Sequence, residues 1–315
     1  MNEKDIIRKY FTKNLDDQAV INGIGDDAAI VSPKRGNQLV VTTDTMVEGK
    51  HFSNTAPAYG VGYTLMASNL SDIAAMGATP RWATLNLTLN IVDESWLEGF
   101  SNGLLECAQA HNVALIGGDT TCGQCLNVSV QLIAEVLINK AMLRSNAQAS
   151  DNIFVTGVIG NAASALHYLQ QNNFNHEKLS TAQNTALYKP PSRIDYAIEL
   201  AEIANAAIDI SDGLLNELEL ICKASNVGAT LQLDNLPYNH DIDIQHAITG
   251  GEDYELLFTI PNEFIKQAHV LADKHQCLIT NIGKITNTKT VELYHANKLM
   301  PYPKSSGYDH FQNNQ

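Results

Sequence analysis

Positive charge is scarce in this chain: 20 lysines and arginines stand against 34 aspartates and glutamates, a formal net charge of -14. A chain so acidic repels phosphate backbones and anionic membrane surfaces, which argues against nucleic acid as a partner. Long apolar runs are missing as well. None approaches the ~18–20 residues that cross a bilayer, and the amino terminus, Met1-Asn2-Glu3-Lys4-Asp5, is polar, so a cytoplasmic protein without membrane contact is expected. Cysteine is sparse, odd in number and scattered (Cys107, Cys122, Cys125, Cys222, Cys277), which fits reduced thiols better than a disulfide framework. Cys122 and Cys125 form a C-x-x-C, but neither a second ligand pair for zinc nor a thioredoxin-like context accompanies it. There is no G-x-x-x-x-G-K-[ST] phosphate loop, no kinase-type catalytic loop and no H-E-x-x-H zinc motif. If phosphate is bound, metal ions must do most of what a lysine-bearing glycine loop does elsewhere, since a divalent cation reverses the local sign of a carboxylate cluster.

What is present suffices for packed cores: 315 residues at 44% hydrophobic content allow two domains of ordinary size. Short runs rich in β-branched residues end in an acid: residues 38–44 at Asp44, 113–119 at Asp119 and 206–212 at Asp209 and Asp212. Each predicts a strand that delivers a carboxylate at its end. Residues 127–138 alternate Val128, Val130 and Leu132, then Ala134, Val136 and Ile138, as a longer half-buried strand does. Helical spacing of Val61, Leu65, Ile73 and Met76 predicts a helix over 61–76, ended by Gly77 and kept from continuing by Pro80, with Asp72 in its last turns. Asp93 is placed to cap a second helix bearing Trp96, Leu97, Phe100, Leu104 and Leu105. The stretch 141–152 interrupts strand-like sequence and marks a domain boundary, giving domains of 1–145 and 146–315. Beyond it, 153–157 predicts a strand, 162–170 a helix, and Lys189-Pro-Pro-Ser-Arg193 a stiff approach to a helix from Ile194. Both halves mix strands and helices, so the class is α/β with α+β.

The chemistry lies in the acidic turns. Gly23-Ile-Gly25-Asp26-Asp27 puts two carboxylates after two glycines; this is either a solvated turn or a place where a cation relieves the repulsion of adjacent acids. Thr42-Thr43-Asp44 at a strand end offers hydroxyls and a carboxylate, a hard-oxygen set suited to Mg²⁺, or simply ordinary turn formers. Recurrence favours the cation: Asp72, Gly118-Asp119-Thr120 and Asp209-Ile-Ser211-Asp212 repeat the same combination.

The ordered series GIGDDAA (23–29), TTDTMVEGKHF (42–52), NLSDIAAMGATP (69–80), GGDTT (117–121), DISDGL (209–214), GGEDYEL (250–256) and GYDHF (307–311) resembles the thiamine-monophosphate kinase family. That family belongs with aminoimidazole ribonucleotide synthetase, selenophosphate synthetase and the hydrogenase-maturation dehydratase. The resemblance runs from about residue 20 to residue 311, and EGKHF, GGEDYEL and GYDHF are the motifs that point to the thiamine branch. It implies an ATP- and Mg-binding amino-terminal domain whose strands join a partner's in a dimeric β-barrel, a carboxy-terminal α+β sandwich, and ATP with several Mg²⁺ ions in the cleft between them. Asp27, Thr42, Thr43, Asp44, Asp72, Asp119, Asp209 and Asp212 match the family's Mg²⁺ ligands. Gly118, Asp119, Arg144 and Ser211 match ATP contacts, and His51, Glu252 and Tyr308 those that hold thiamine monophosphate. No residue matches a separate catalytic acid or base. The implied reaction is direct in-line transfer of the γ-phosphate of ATP. A sister activity on another acceptor, or a metal- and nucleotide-binding module without turnover, are the competing readings. Two departures stand out. Cys122-Gly-Gln-Cys125 follows GGDTT where relatives often carry a basic residue, and the helix around 101–105 lacks the aromatic that some members place beside adenine, which leaves adenine recognition unassigned.

Overall fold

The structure, a computed structural model, describes residues 1–12 and 17–307, and the chain divides into two compact units. Unit one comprises residues 1–73, 78–139 and 171–190; unit two comprises 74–77, 140–170 and 191–315. All five cysteines are free thiols, and no helix among the described residues is long and apolar enough to cross a membrane.

Unit one runs α1 (Glu3–Ile6), a short ribbon of β1 (Val20–Asn22) and β2 (Ile30–Val31), β3 (Asn37–Val47), α2 (Ala58–Ala75), β4 (Thr79–Leu89), α3 (Glu94–Ala110), β5 (Ala114–Cys122) and β6 (Asn127–Leu137). After α4 (Asn161–Gln171) of unit two, it gains α5 (Thr181–Tyr188). Its main sheet has four strands in the order β3-β6-β4-β5. The sheet is open at both edges; the described residues of one chain form no closed barrel. Helices α2 and α3 meet backbone to backbone: a Cβ on Gly62 would lie 2.1 Å from the Phe100 carbonyl oxygen, and one on Gly103 1.9 Å from that of Tyr59. Glycine on both sides of the crossing permits that approach. As expected, the Asp93 carboxylate caps α3, accepting from the amides of Ser95 (2.9 Å) and Trp96 (3.1 Å), and Gly77 at φ 64 ends the turn after α2.

Two expectations need correction here. Pro80 does not serve as a helix stop; it lies inside β4, which was not foreseen, at the irregularity between Pro80 and Trp82 where pairing with β6 shifts register. A bulge is one of the few places a sheet accepts proline. The strands bearing Asp44 and Asp119 also run on past those acids, to Val47 and Cys122, because pairing with β6 and β4 continues to Asn127 and Leu89.

Unit two is built on a seven-stranded sheet. β7 (Asn152–Thr156), β8 (Ala206–Asp209), β9 (Gly228–Gln232), β10 (Leu256–Ile260), β11 (Ile279–Thr286), β12 (Val291–His295) and β13 (Lys298–Leu299) are ordered β13-β12-β9-β11-β7-β10-β8, antiparallel except for β9 with β12. Its helices, besides α4, are α6 (Ile194–Leu200), α7 (Leu214–Ser225), α8 (Ile244–Thr249) and α9 (Ile265–Lys274). Strand alternation sends Ile153, Val155, Ile208 and Leu257 to one face, where α7 seats Leu214, Leu218 and Ile221 against them. On the other face Phe154 stacks on Phe258 at 5.5 Å and Tyr196 of α6 meets Phe258 edge-on. Two filled faces anchor the strand ends that carry Asp209 and the segment before β10.

Candidate functional site

In unit one, pairing and alternation decide which of the predicted residues share a face. Thr42 stands opposite Leu132 and Asp44 opposite Val130, which is opposite Leu85. These partners are buried, so Thr42 and Asp44 belong to the face that the helices cover. Asp72 reaches that face from α2, and the Thr42 hydroxyl donates to its Oδ2 at 2.5 Å. Thr43 points the other way, its hydroxyl donating to the Val130 carbonyl at 3.0 Å. Asp119 shares that second face: its row is Thr45, Ser129, Asn86, Asp119. The β1–β2 ribbon packs over the same face through Val20, Val31, Trp82 and Ile116. Asp27 rides on the exposed turn of that ribbon, whose tight backbone is set by Gly25 at φ 119.

Asp44 and Asp119 therefore lie on opposite edge strands with β6 and β4 between them. At about 4.8 Å per strand the edges are roughly 14 Å apart along the sheet. The sequence suggested one cluster, whereas the single sheet brings together Thr42, Asp44 and Asp72 and keeps Asp119 away from them. Gly118, next to Asp119, has φ 143, and a Cβ there would lie 1.8 Å from the Leu85 carbonyl oxygen. His51 sits in the turn after β3; its Nδ1 accepts from the Val47 amide at 3.0 Å, which puts the proton of the neutral ring on Nε2.

In unit two, Asp209 ends β8 and is buried, Ser211 and Asp212 follow, and Gly213 at φ 124 turns the chain into α7. The segment 250–255 docks on this turn: the Glu252 amide donates to the Ser211 carbonyl (2.7 Å) and the Tyr254 amide to that of Ile210 (2.9 Å). Asp212 is flanked by two other carboxyls. Burial, with the Asp212 charge adding to it, pushes Glu252 up to about 7. Burial likewise pushes Glu217 up to about 7; the Asn216 amide opposes that rise, the Asp212 charge adds to it and Arg144 opposes it. Glu217, in the first turn of α7, was not foreseen, although its spacing with Leu214, Leu218 and Ile221 places it on the inward face of the helix. Arg144 lies in a single 3-10 turn pinned by Ser225, whose hydroxyl donates to the Arg144 carbonyl at 2.7 Å. Tyr308 lies outside the described residues.

Among the described residues no three His, Cys, Asp or Glu side chains stand close enough to hold an ion by themselves. Mg²⁺ does not require that: it takes one or two carboxylates and keeps waters and substrate phosphates for the rest. Hard oxygens from Thr42, Asp44 and Asp72 on one face fit such an ion.

Sequence profiles of the AIR synthase related protein match the chain twice, its N-terminal domain over residues 25–136 and its C-terminal domain over residues 148–296. The thiamine-monophosphate kinase of Buchnera aphidicola subsp. Schizaphis graminum is 39% identical over 98% of this chain and 99% of its own. Among solved structures, thiamine-monophosphate kinase from Stenotrophomonas maltophilia superposes with TM-score 0.82 at 37% identity, covering 92% of this chain and 94% of that one. AaThiL complexed with AMPPCP and TMP superposes with TM-score 0.78 at 27% identity, covering 89% of each.

Proposed function

Because the chain belongs to the thiamine-monophosphate kinase family and is a kinase, we propose that it transfers the γ-phosphoryl group of ATP directly and in line onto thiamine monophosphate, giving thiamine diphosphate and ADP. The observation that carries this reading is the Thr42 hydroxyl on Asp72 at 2.5 Å with Asp44 on the same face: a prepared hard-oxygen set in a chain with no phosphate loop. Asp27, Thr42, Thr43, Asp44, Asp72, Asp119, Asp209 and Asp212 are the residues that would hold Mg²⁺. Bound there, the metal would neutralise two polyanionic substrates and the charge spread over the transferred group.

The chain's own groups bind and orient. Gly118, where a Cβ would strike the Leu85 carbonyl, lets β5 close on β4 and would meet the nucleotide through its backbone beside Asp119. Arg144 forks onto phosphate oxygens without losing its charge, and Ser211 adds a hydroxyl. The Nε2 proton of His51 is a donor for the monophosphate, Glu252 complements the cationic thiazolium, and Tyr308 offers it an aromatic face. An acceptor phosphate is already ionised at neutral pH, so no side chain need act as a strong base, in keeping with the absence of a matched catalytic acid or base.

The proposal extends to a cytoplasmic homodimer. Strand β3 is an uncovered edge of 11 residues with Leu39 and Val41 about half exposed, the kind of edge that a second copy covers. The test is a coupled assay for thiamine diphosphate with purified protein, ATP and thiamine monophosphate, with and without Mg²⁺. Turnover only with all three components is expected. Turnover in excess EDTA, or none with thiamine monophosphate under any condition, overturns the reading.

A further inference from the structure

We infer that Arg193 is a positioning residue for the substrate-binding carboxylate Glu252, acting through a buried clamp on Glu255; the inference rests on the thiamine-monophosphate reading of Glu252. The segment between α8 and β10 has an uncommon backbone: Glu252 (φ 64) and Tyr254 (φ 51) are both left-handed. Neither is glycine, and such a conformation persists only where the surroundings over-determine it.

Every residue from Glu252 to Glu255 is tied down. The Glu252 and Tyr254 amides donate to the Ser211 and Ile210 carbonyls, and the Ile210 amide donates back to the Glu255 carbonyl at 2.8 Å. Both Asp253 oxygens accept from the Gly160 amide at 2.9 Å, just before α4. The strongest tie is at Glu255, which is 4% exposed. Arg193 grips its carboxylate with two parallel bonds, Nε to Oε2 and Nη2 to Oε1, each 2.6 Å, and the Thr156 hydroxyl donates to Oε2 at 2.5 Å. Gly157 packs so close that a Cβ would lie 1.8 Å from Oε1. The carboxylate therefore has one position available, and it stands three residues after Glu252. Arg193 contacts no reacting group in this reading; it fixes where the Glu252 backbone, and with it the carboxylate, stands. A lysine keeps the charge but presents one ammonium and cannot grip both oxygens.

The experiment is steady-state kinetics on the full chain, wild type against Arg193→Lys, with a thermal melt of each. The KM for thiamine monophosphate should rise roughly tenfold, the scale on which supporting-shell changes act, while the KM for ATP moves less than about twofold. A lowered melting temperature with an unchanged KM for thiamine monophosphate makes the clamp merely structural and overturns the inference, as do equal rises in both KM values. If Arg193→Lys does not fold, Thr156→Val, which removes the bond to the same Oε2 and with it the acceptor of the Leu256 amide, carries the same test with a smaller rise expected. Wild-type protein that turns over ATP but not thiamine monophosphate removes the Glu252 assignment itself, an outcome distinct from failure of the clamp.

Discussion

Gly118→Ala tests whether the backbone beside Asp119 is built for glycine alone. At φ 143 the new methyl group would stand 1.8 Å from the Leu85 carbonyl oxygen, 2.6 Å from its carbon and 2.8 Å from the Leu85 nitrogen. All three are backbone atoms of the neighbouring strand, so no rotamer change relieves the overlap. The backbone conformation costs a non-glycine residue about 1–3 kcal/mol. Parting β5 from β4 at the Leu85–Gly118 pair forfeits ladder hydrogen bonds at about 1 kcal/mol net each. Together these come to roughly 3–5 kcal/mol, or a fall in melting temperature on the order of 10 °C for a domain of this size. Gly117→Ala is the built-in control: its Cβ would meet only the Thr84 methyl at 4.0 Å, and it should melt close to wild type. Differential scanning calorimetry of the three proteins, with an ATP titration, reads both effects, and the KM for ATP should rise in Gly118→Ala alone. If Gly118→Ala melts within about 2 °C of wild type with an unchanged KM for ATP, the close approach described here is not real.

Two further predictions concern assembly and pH. If β3 is the edge that a second copy covers, Val41→Lys, at a residue about half exposed on that strand, should shift the protein from dimer to monomer in analytical ultracentrifugation; a variant that stays dimeric would place the interface elsewhere. Asp253 is pushed up to about 8 by burial, against the pull of the Gly160 amide. Its folded pKa thus exceeds the unfolded value of 3.8, so the folded state binds a proton that the unfolded chain releases and stability falls as pH rises between about 4 and 8. Asp253→Asn should flatten that dependence, seen as urea midpoints at pH 5 and pH 8 drawing together; a variant as pH-sensitive as wild type would contradict it.

Much of the fold follows from patterns that periodicity exposes. Alternation from Val128 to Val136 predicts β6, and Asp93 announces α3 with a cap whose geometry is as expected. β4 was hidden although its alternation is strict: Ala83, Leu85, Leu87 and Leu89 point inward, Thr84, Asn86 and Thr88 away. Gly77 and Pro80 together read as a helix stop, and only the bulge between Pro80 and Trp82 reconciles proline with a strand at that place. A bulge is set by the register of a partner strand, which local sequence does not contain.

The site divides along the same line. Thr42 and Asp44 share a face because side chains two apart in a strand must, and that much is readable from spacing. That Asp119 lies on the far edge is not, since strand order depends on non-local pairing. GGEDYEL makes the point most sharply. Its three acids look equivalent as letters, yet Asp253 receives the Gly160 amide at the head of α4 and Glu255 closes on Arg193, while Glu252 is left in a left-handed turn against Ser211. What separates them is the partner each meets, and those partners lie 41 to 99 positions away in the chain. A carboxylate's task in such a motif is therefore decided by the fold it is delivered to, and substituting one acid of the three by its amide tests a different physical role each time.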